Sequence, residues 1–298
     1  MNVSSTDSRP RALSGPLVAF AIMALLWGYN WVVMKIAMRY CGPLDFAALR
    51  GGFGVLLLFA LLVALRVPLK PRHVGKTVAL GLFQTTGFVG LISWSLTAGA
   101  AGKSAVLAYT MPFWMIAFGW PFLDERLRGW QWPAVGLALA GLVLVLEPWN
   151  SDATLTSSLL ALAAGAAWGV SVVLFKRIPV DNRDDLLSVT TWQMFYGVLP
   201  LIAAALLVPE RPIEWNHTFE VALLFNIVAG MAVATLLWLY VLQRLPATIS
   251  SLSSLVVPII GVLAAWIQLG ERPSAPEAAG MFLILTGLAL LAVRQRGT

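Results

Sequence analysis

Long apolar runs broken by short polar connections dominate this chain. A helix needs about 20 apolar residues to cross a hydrocarbon core about 30 Å thick. Ten windows approach that length, at roughly 17–34, 44–65, 74–98, 104–123, 130–147, 155–175, 186–208, 219–243, 248–269 and 275–293. Strands of a membrane barrel would alternate apolar and polar residues. Runs such as VLLLFALLVAL and VGLALAGLVLVL do not alternate, so each window predicts a membrane-spanning helix. The polar start, MNVSSTDSRPRALSGP, precedes an apolar stretch too long for a signal-peptide core, and we read that stretch as a retained first span.

The pattern occurs twice. WGYNWVVMK at 27–35 is matched by WGVSVVLFK at 168–176, which aligns Trp27 with Trp168, Gly28 with Gly169 and Lys35 with Lys176. Further on, YTMPFWMIAFGWPFLDER (109–126) aligns with LVVPIIGVLAAWIQLGER (255–272). Pro112 then meets Pro258, Glu125-Arg126 meets Glu271-Arg272, and Gly141 meets Gly287. Two anchors in the same order imply a duplication of about five spans. Five is odd, so the second copy must enter the bilayer from the opposite side. Inverted repeats of this kind recur in secondary transporters, where each half adopts in turn the conformation of the other.

Composition removes the soluble alternatives. The chain of 298 residues is 59% hydrophobic and 11% charged, with mean hydropathy +0.82. Soluble domains carry about 25% charged residues. The net charge of +6 lies in the connections, without the basic run that would mark a nucleic-acid partner. With both termini cytoplasmic, inner segments hold 14 of the 20 Lys and Arg residues, as the positive-inside rule requires. One cysteine, Cys41, excludes an internal disulfide or a thiolate cage. His73 and His217 sit in connections, so neither metal nor other cofactor is expected.

At these residues the chain resembles the EamA-type branch of the drug/metabolite transporter superfamily. The resemblance rests on WGYNWVVMK, on PLDFAALRGGFG, on the fourth-span proline followed by an acidic residue at the span's end, and on their second copies. Its Trp-rich spans are similar to bacterial aromatic amino-acid exporters of the YddG type. The resemblance implies an all-α integral membrane protein of ten helices, in two inverted five-helix repeats around a central cavity. Spans 1, 3, 4, 6, 8 and 9 would line that cavity, with spans 5 and 10 peripheral. The organisation expected is a cytoplasmic tail at 1–15, repeats at 16–148 and 154–293, and a second tail at 294–298. Arg50 has no basic counterpart in the second half, where Thr191 is nearest.

Polar groups at membrane depth are costly and face a cavity or another helix. Asn30 and its repeat mate Ser171 suit a substrate carboxylate or amine, or equally a neighbouring backbone, a contact worth about 1–2 kcal/mol at most. Gln84, within a Gln-Thr-Thr cluster, is the preferred polar contact, and Asn226 stands at the start of the matching span 8. Trp27, Trp94, Trp168, Trp238, Tyr109 and Tyr240 fall within spans and suit stacking on a flat substrate. Trp120, Trp130, Trp132, Trp149 and Trp215 read as interfacial anchors. Pro112 and Pro258 interrupt helical ladders and are candidate paired hinges. Lys35 and Lys176 stand at opposite mouths as candidate gates or snorkelling ends. Arg50 lies deeper, with Asp45 as its candidate partner.

None of the 14 acidic residues falls mid-span, which argues against proton coupling through a buried carboxylate. No phosphate-binding loop for ATP is present. The expectation is a monomeric exporter in the bacterial inner membrane that carries small metabolites, aromatic or hydrophobic amino acids first, by facilitated diffusion or exchange. A broader drug, nucleobase or sugar-derivative carrier is the alternative. An enzyme would need a nucleophile or metal constellation that the sequence lacks.

Overall fold

A computed structural model describes residues 14–123, 129–147, 154–245 and 253–294, and every structural statement concerns these. Trp149, Glu125 and Arg126, and most of the Ser-rich run before Pro258, lie outside them, as do the side chains of Trp120 and Trp130.

The described residues are helical at each of the ten windows. We number the rods α1 (Ser14–Ala37), α2 (Pro43–Ala64), α3 (Val74–Ala98), α4 (Ala101–Leu123), α5 (Trp132–Leu146), α6 (Thr154–Phe175), α7 (Arg183–Leu207), α8 (His217–Arg244), α9 (Ser253–Leu269) and α10 (Ala275–Arg294). By length and composition, α1, α2, α3, α6, α7 and α8 contain stretches fit to cross a membrane. The apolar stretches of α5, α9 and α10 are shorter, and α4 is two pieces, Ala101–Ala108 and Met111–Leu123. Among the described residues three rods contain a wide π turn, at Leu82–Val89 in α3, at Asn226–Val233 in α8 and at Ala265–Leu269 at the end of α9. The first two are equivalent places in the two halves, and hydrophobic periodicity gave no sign of any of them.

The packing repeats with the halves exchanged. In the first half α1 lies against α8 and α9, and its counterpart α6 lies against α3 and α4. α2 pairs with α7, and α5 with α10. Small residues set the closest approaches. A Cβ at Gly28 would stand 2.5 Å from the Ile260 Cβ on α9, and one at Gly169 would stand 2.6 Å from the Trp114 Cβ on α4. Gly141 and Gly280 meet the same way across α5 and α10, as Gly287 meets Ala134. Lipid offers no hydrophobic drive between helices, so backbone approach at small residues supplies the packing. The repeated Trp-Gly pair is therefore a helix-crossing device.

Chain direction also follows. The α1 Lys35 ammonium donates to Leu96 O and Gly99 O at the finish of α3, both at 2.7 Å. At that level the Ser95 hydroxyl donates to Ser157 O, in the first turns of α6, at 2.8 Å. Thus α6 begins at the end of the bundle where α1 finishes.

Candidate functional site

The Gly28 crossing turns the next residues of α1 towards α8. There Gly230 lies within the π turn, and Trp27 Nε1 donates to Gly230 O at 3.0 Å. Asn30, 9% exposed, faces the same glycine: a Cβ at Gly230 would fall 2.8 Å from Asn30 Oδ1. One turn along α1, the Met34 sulfur accepts from Asn30 Nδ2 at 3.3 Å and from Arg50 Nη1 at 3.0 Å. The Arg50 guanidinium also lies 5.9 Å from the Phe46 ring. Four deeply buried polar atoms have no hydrogen-bond partner: Arg50 Nε, Asn30 Oδ1, Asn226 Oδ1 and Ser93 Oγ.

This corrects the expected Asp45–Arg50 pair. Five residues apart on a helix, the two side chains leave it about 140° apart. Among the described residues no carboxylate pairs with Arg50, whose contacts are the Met34 thioether and the Phe46 ring.

Aromatic rings share the core with this polar knot. Trp27 and Trp238 are 5.9 Å apart. A second series runs from Trp31 to Tyr109 at 6.5 Å, to Trp168 at 5.3 Å and to Phe88 at 4.9 Å. Four of the six aromatic candidates are therefore interior. Trp94 (48% exposed) and Tyr240 (37%, beneath the Arg244 guanidinium) are not in this set; the structure puts both on the accessible surface. Their positions within apolar windows gave depth but not facing.

The polar candidates divide similarly. The Ser171 hydroxyl is turned back onto Trp168 O of its own helix at 2.7 Å. Beside half-buried Gln84, Thr85 donates to Gln193 Oε1 and Thr86 to Gly197 O, both on α7, so these threonines hold helices together. Lys35 joins α1 to the α3 terminus as described, and Lys176 is exposed at the end of α6. Met34 escaped the sequence reading and Asn226 was noted only as a span start. Both were detectable as interior positions, Met34 by its i+4 spacing from Asn30.

The two prolines differ. The α4 helix stops at Ala108 and restarts at Met111, so the chain breaks just before Pro112, and the Thr110 hydroxyl takes Leu107 O at 2.6 Å. The Gly165 backbone of α6 fits against this break. On α9, described from Ser253, the helix runs through Pro258 as far as Ala264, where a π turn follows.

The end of the bundle where α1 finishes carries several contacts between the halves. Glu271 accepts from Ala101 N and Gly102 N at the start of α4, at 2.8 and 3.1 Å. Lys103 pairs with Glu277 at 2.6 Å. Glu210 caps α2 through Leu44 N and Asp45 N, and Gly42 leaves room for its carboxylate. Arg211 donates to Met38 O and Cys41 O. A cavity of about 350 Å³ opens beside these groups, lined by Met38, Cys41, Thr97, Glu210 and Arg211. At the other end the Arg72–Asp185 pair (2.7 Å) and Lys76, which donates to Arg177 O, join α2, α3, α6 and α7.

A polytopic helical bundle of two like halves, with polar and aromatic groups buried between them, is the build of a membrane carrier. The chain belongs to the EamA-like transporter family, whose model matches it twice, at 14–147 and 155–293. An "Uncharacterized transporter YoaV" of Bacillus subtilis is 27% identical over 89% of this chain and 92% of its own. A "Probable amino-acid metabolite efflux pump" of Escherichia coli is 26% identical, with 90% and 91% covered. A "Riboflavin transporter" of Rhizobium johnstonii is also 26% identical, with 96% and 93% covered. A solved crystal structure superposes with a TM-score of 0.64 over 96% of this chain and 100% of its own, at 20% identity, and shares the fold.

Proposed function

We propose that the protein exports small metabolites, aromatic and other hydrophobic amino acids foremost, across the bacterial inner membrane by alternating access of two inverted five-helix repeats. It acts as a monomer, by facilitated diffusion or exchange, with ten crossings and both termini cytoplasmic. One observation carries this reading: α4 and α9, equivalent in sequence, have different shapes in one structure, broken before Pro112 and continuous through Pro258. A rocking carrier needs such a pair, since exchanging the two shapes exchanges the open side. The relative named an amino-acid metabolite efflux pump supports the solute class. The interior rings Trp27, Trp238, Tyr109 and Trp168 suit a flat apolar side chain.

The experiment is counterflow into liposomes holding the purified protein, with amino acids, nucleosides, riboflavin and cationic drugs as solutes. Saturable uptake of an aromatic amino acid, accelerated by the same solute inside, is the expected result. Linear uptake without acceleration from the far side rejects a carrier.

A further inference from the structure

The membrane interior leaves Arg50 poorly served. Its Nε is buried without a partner, and Nη1 touches only a thioether, among the weakest acceptors a protein offers. Burying a guanidinium without an anion is costly, so a buried arginine is ordinarily paired. Beside it the opposite deficit appears. Asn30 Oδ1 is an acceptor without a donor, and Asn226 Oδ1, on the α8 segment that faces α1, is another. The two deficits share one locus. Asn30 and Arg50 meet at a single sulfur, Asn30 faces Gly230, and Asn226 lies one turn before Gly230. One turn beyond Arg50, Gly54 packs on Met231, next to Gly230, so α2 joins the same place.

We propose that Arg50, Asn30 and Asn226 form the head-group site for an α-amino acid, with Met34 a displaceable stand-in. The carboxylate replaces the Met34 sulfur on Arg50 and makes the charge-assisted pair that the guanidinium lacks. The ammonium donates to the vacant amide oxygens. A carboxylate and an ammonium on one carbon supply an acceptor for the guanidinium and donors for the two amide oxygens. The apolar side chain then extends towards Trp27 and Trp238. This rests on the carrier reading above and names the chemistry that the carrier selects.

The test uses the counterflow liposomes with matched competitors: L-phenylalanine, L-phenylalaninamide, which lacks the carboxylate, and 3-phenylpropionate, which lacks the ammonium. The amide should inhibit at least about 100-fold more weakly than the amino acid, since it leaves a buried charge unpaired. The propionate should inhibit about 10-fold more weakly, since it leaves amide acceptors unmet. Arg50→Gln should abolish amino-acid counterflow while the protein still elutes as a folded species. Met34→Leu, close in volume but without the acceptor, should strengthen phenylalanine inhibition. If the Arg50–Met34 contact is only structural, Met34→Leu instead weakens inhibition and lowers the melting temperature together. Equal inhibition by the amide, or unchanged amino-acid counterflow in Arg50→Gln, overturns the site. Saturable counterflow of riboflavin or a nucleoside with no amino-acid competition overturns it too, while the carrier reading stands. No saturable flux of any solute defeats both.

Discussion

Gly28 and Gly169 do the same work on opposite halves. Each lets a tryptophan-bearing helix touch its partner's backbone. Gly28→Ala and Gly169→Ala should each destabilise the protein by about 1–3 kcal/mol through overpacking. Gly136→Ala, where a Cβ meets nothing within 4 Å, should be near neutral. Reversible unfolding in mixed micelles measures all three, and equal losses would refute the crossing role. Cys41 tests the closed end. Burial pushes its thiol up to about 12. The reactive thiolate is therefore scarce at any pH below that value and grows only as pH rises towards it. A maleimide at pH 7–8 should leave Cys41 unlabelled until the protein is unfolded, and rapid labelling of folded protein would contradict its burial. Individual residues also mark the reach of the sequence. The depth of Asn30 and Arg50 was legible because neighbours set it. The partner of Arg50 was not, since the Met34 sulfur reaches it from another helix.

Elements give the next scale. The paired π turns of α3 and α8 widen the helix where it faces the opposite half, and that of α8 contains Gly230, whose O accepts from Trp27. Such turns cluster at functional sites. Pattern reading located all ten rods, because long apolar stretches have no other fate in a bilayer. It missed the π turns and the break in α4, which depend on contacts from α1 and α6. The inertness of Cys41 makes topology measurable with single added cysteines. Arg39→Cys and Thr156→Cys lie at one end of the bundle, and Lys76→Cys and Asp181→Cys at the other. An impermeant thiol reagent should label the first two from one face of the membrane and the other two from the opposite face. Labelling of positions 39 and 156 from opposite faces would dismiss the inverted arrangement. At the hinges, Pro112→Ala should restore the α4 ladder and slow counterflow several-fold, with inhibition constants little changed. An unchanged rate would make the break a fixed kink.

At the scale of the whole molecule, carboxylates keep to helix ends and connections. Glu210 and Glu271 cap α2 and α4, and Glu277 pairs with Lys103, all at one end. These contacts join the two halves at that end, and the proposed alternating-access cycle requires them to part when that end opens. Glu277→Gln should therefore speed exchange through that end by a few-fold, as the loss of a charged partner from a largely buried pair favours separation. A slower rate would show that the pair serves folding alone. With no described acidic group mid-span, downhill efflux should persist when a protonophore collapses the proton gradient. Its arrest would demand a proton-carrying group.

The sequence alone determined the membrane setting, the ten helical stretches, the duplication and which residues lie at depth. Each follows from local composition and spacing, which a helix in lipid cannot evade. Tertiary structure alone decided that Trp94 and Tyr240 are solvent-accessible and apart from the interior rings, that α4 breaks where the described part of α9 does not, and that Arg50 meets a sulfur and no carboxylate. Those outcomes depend on which faces of separate helices meet, and that is fixed by packing between segments far apart in the chain.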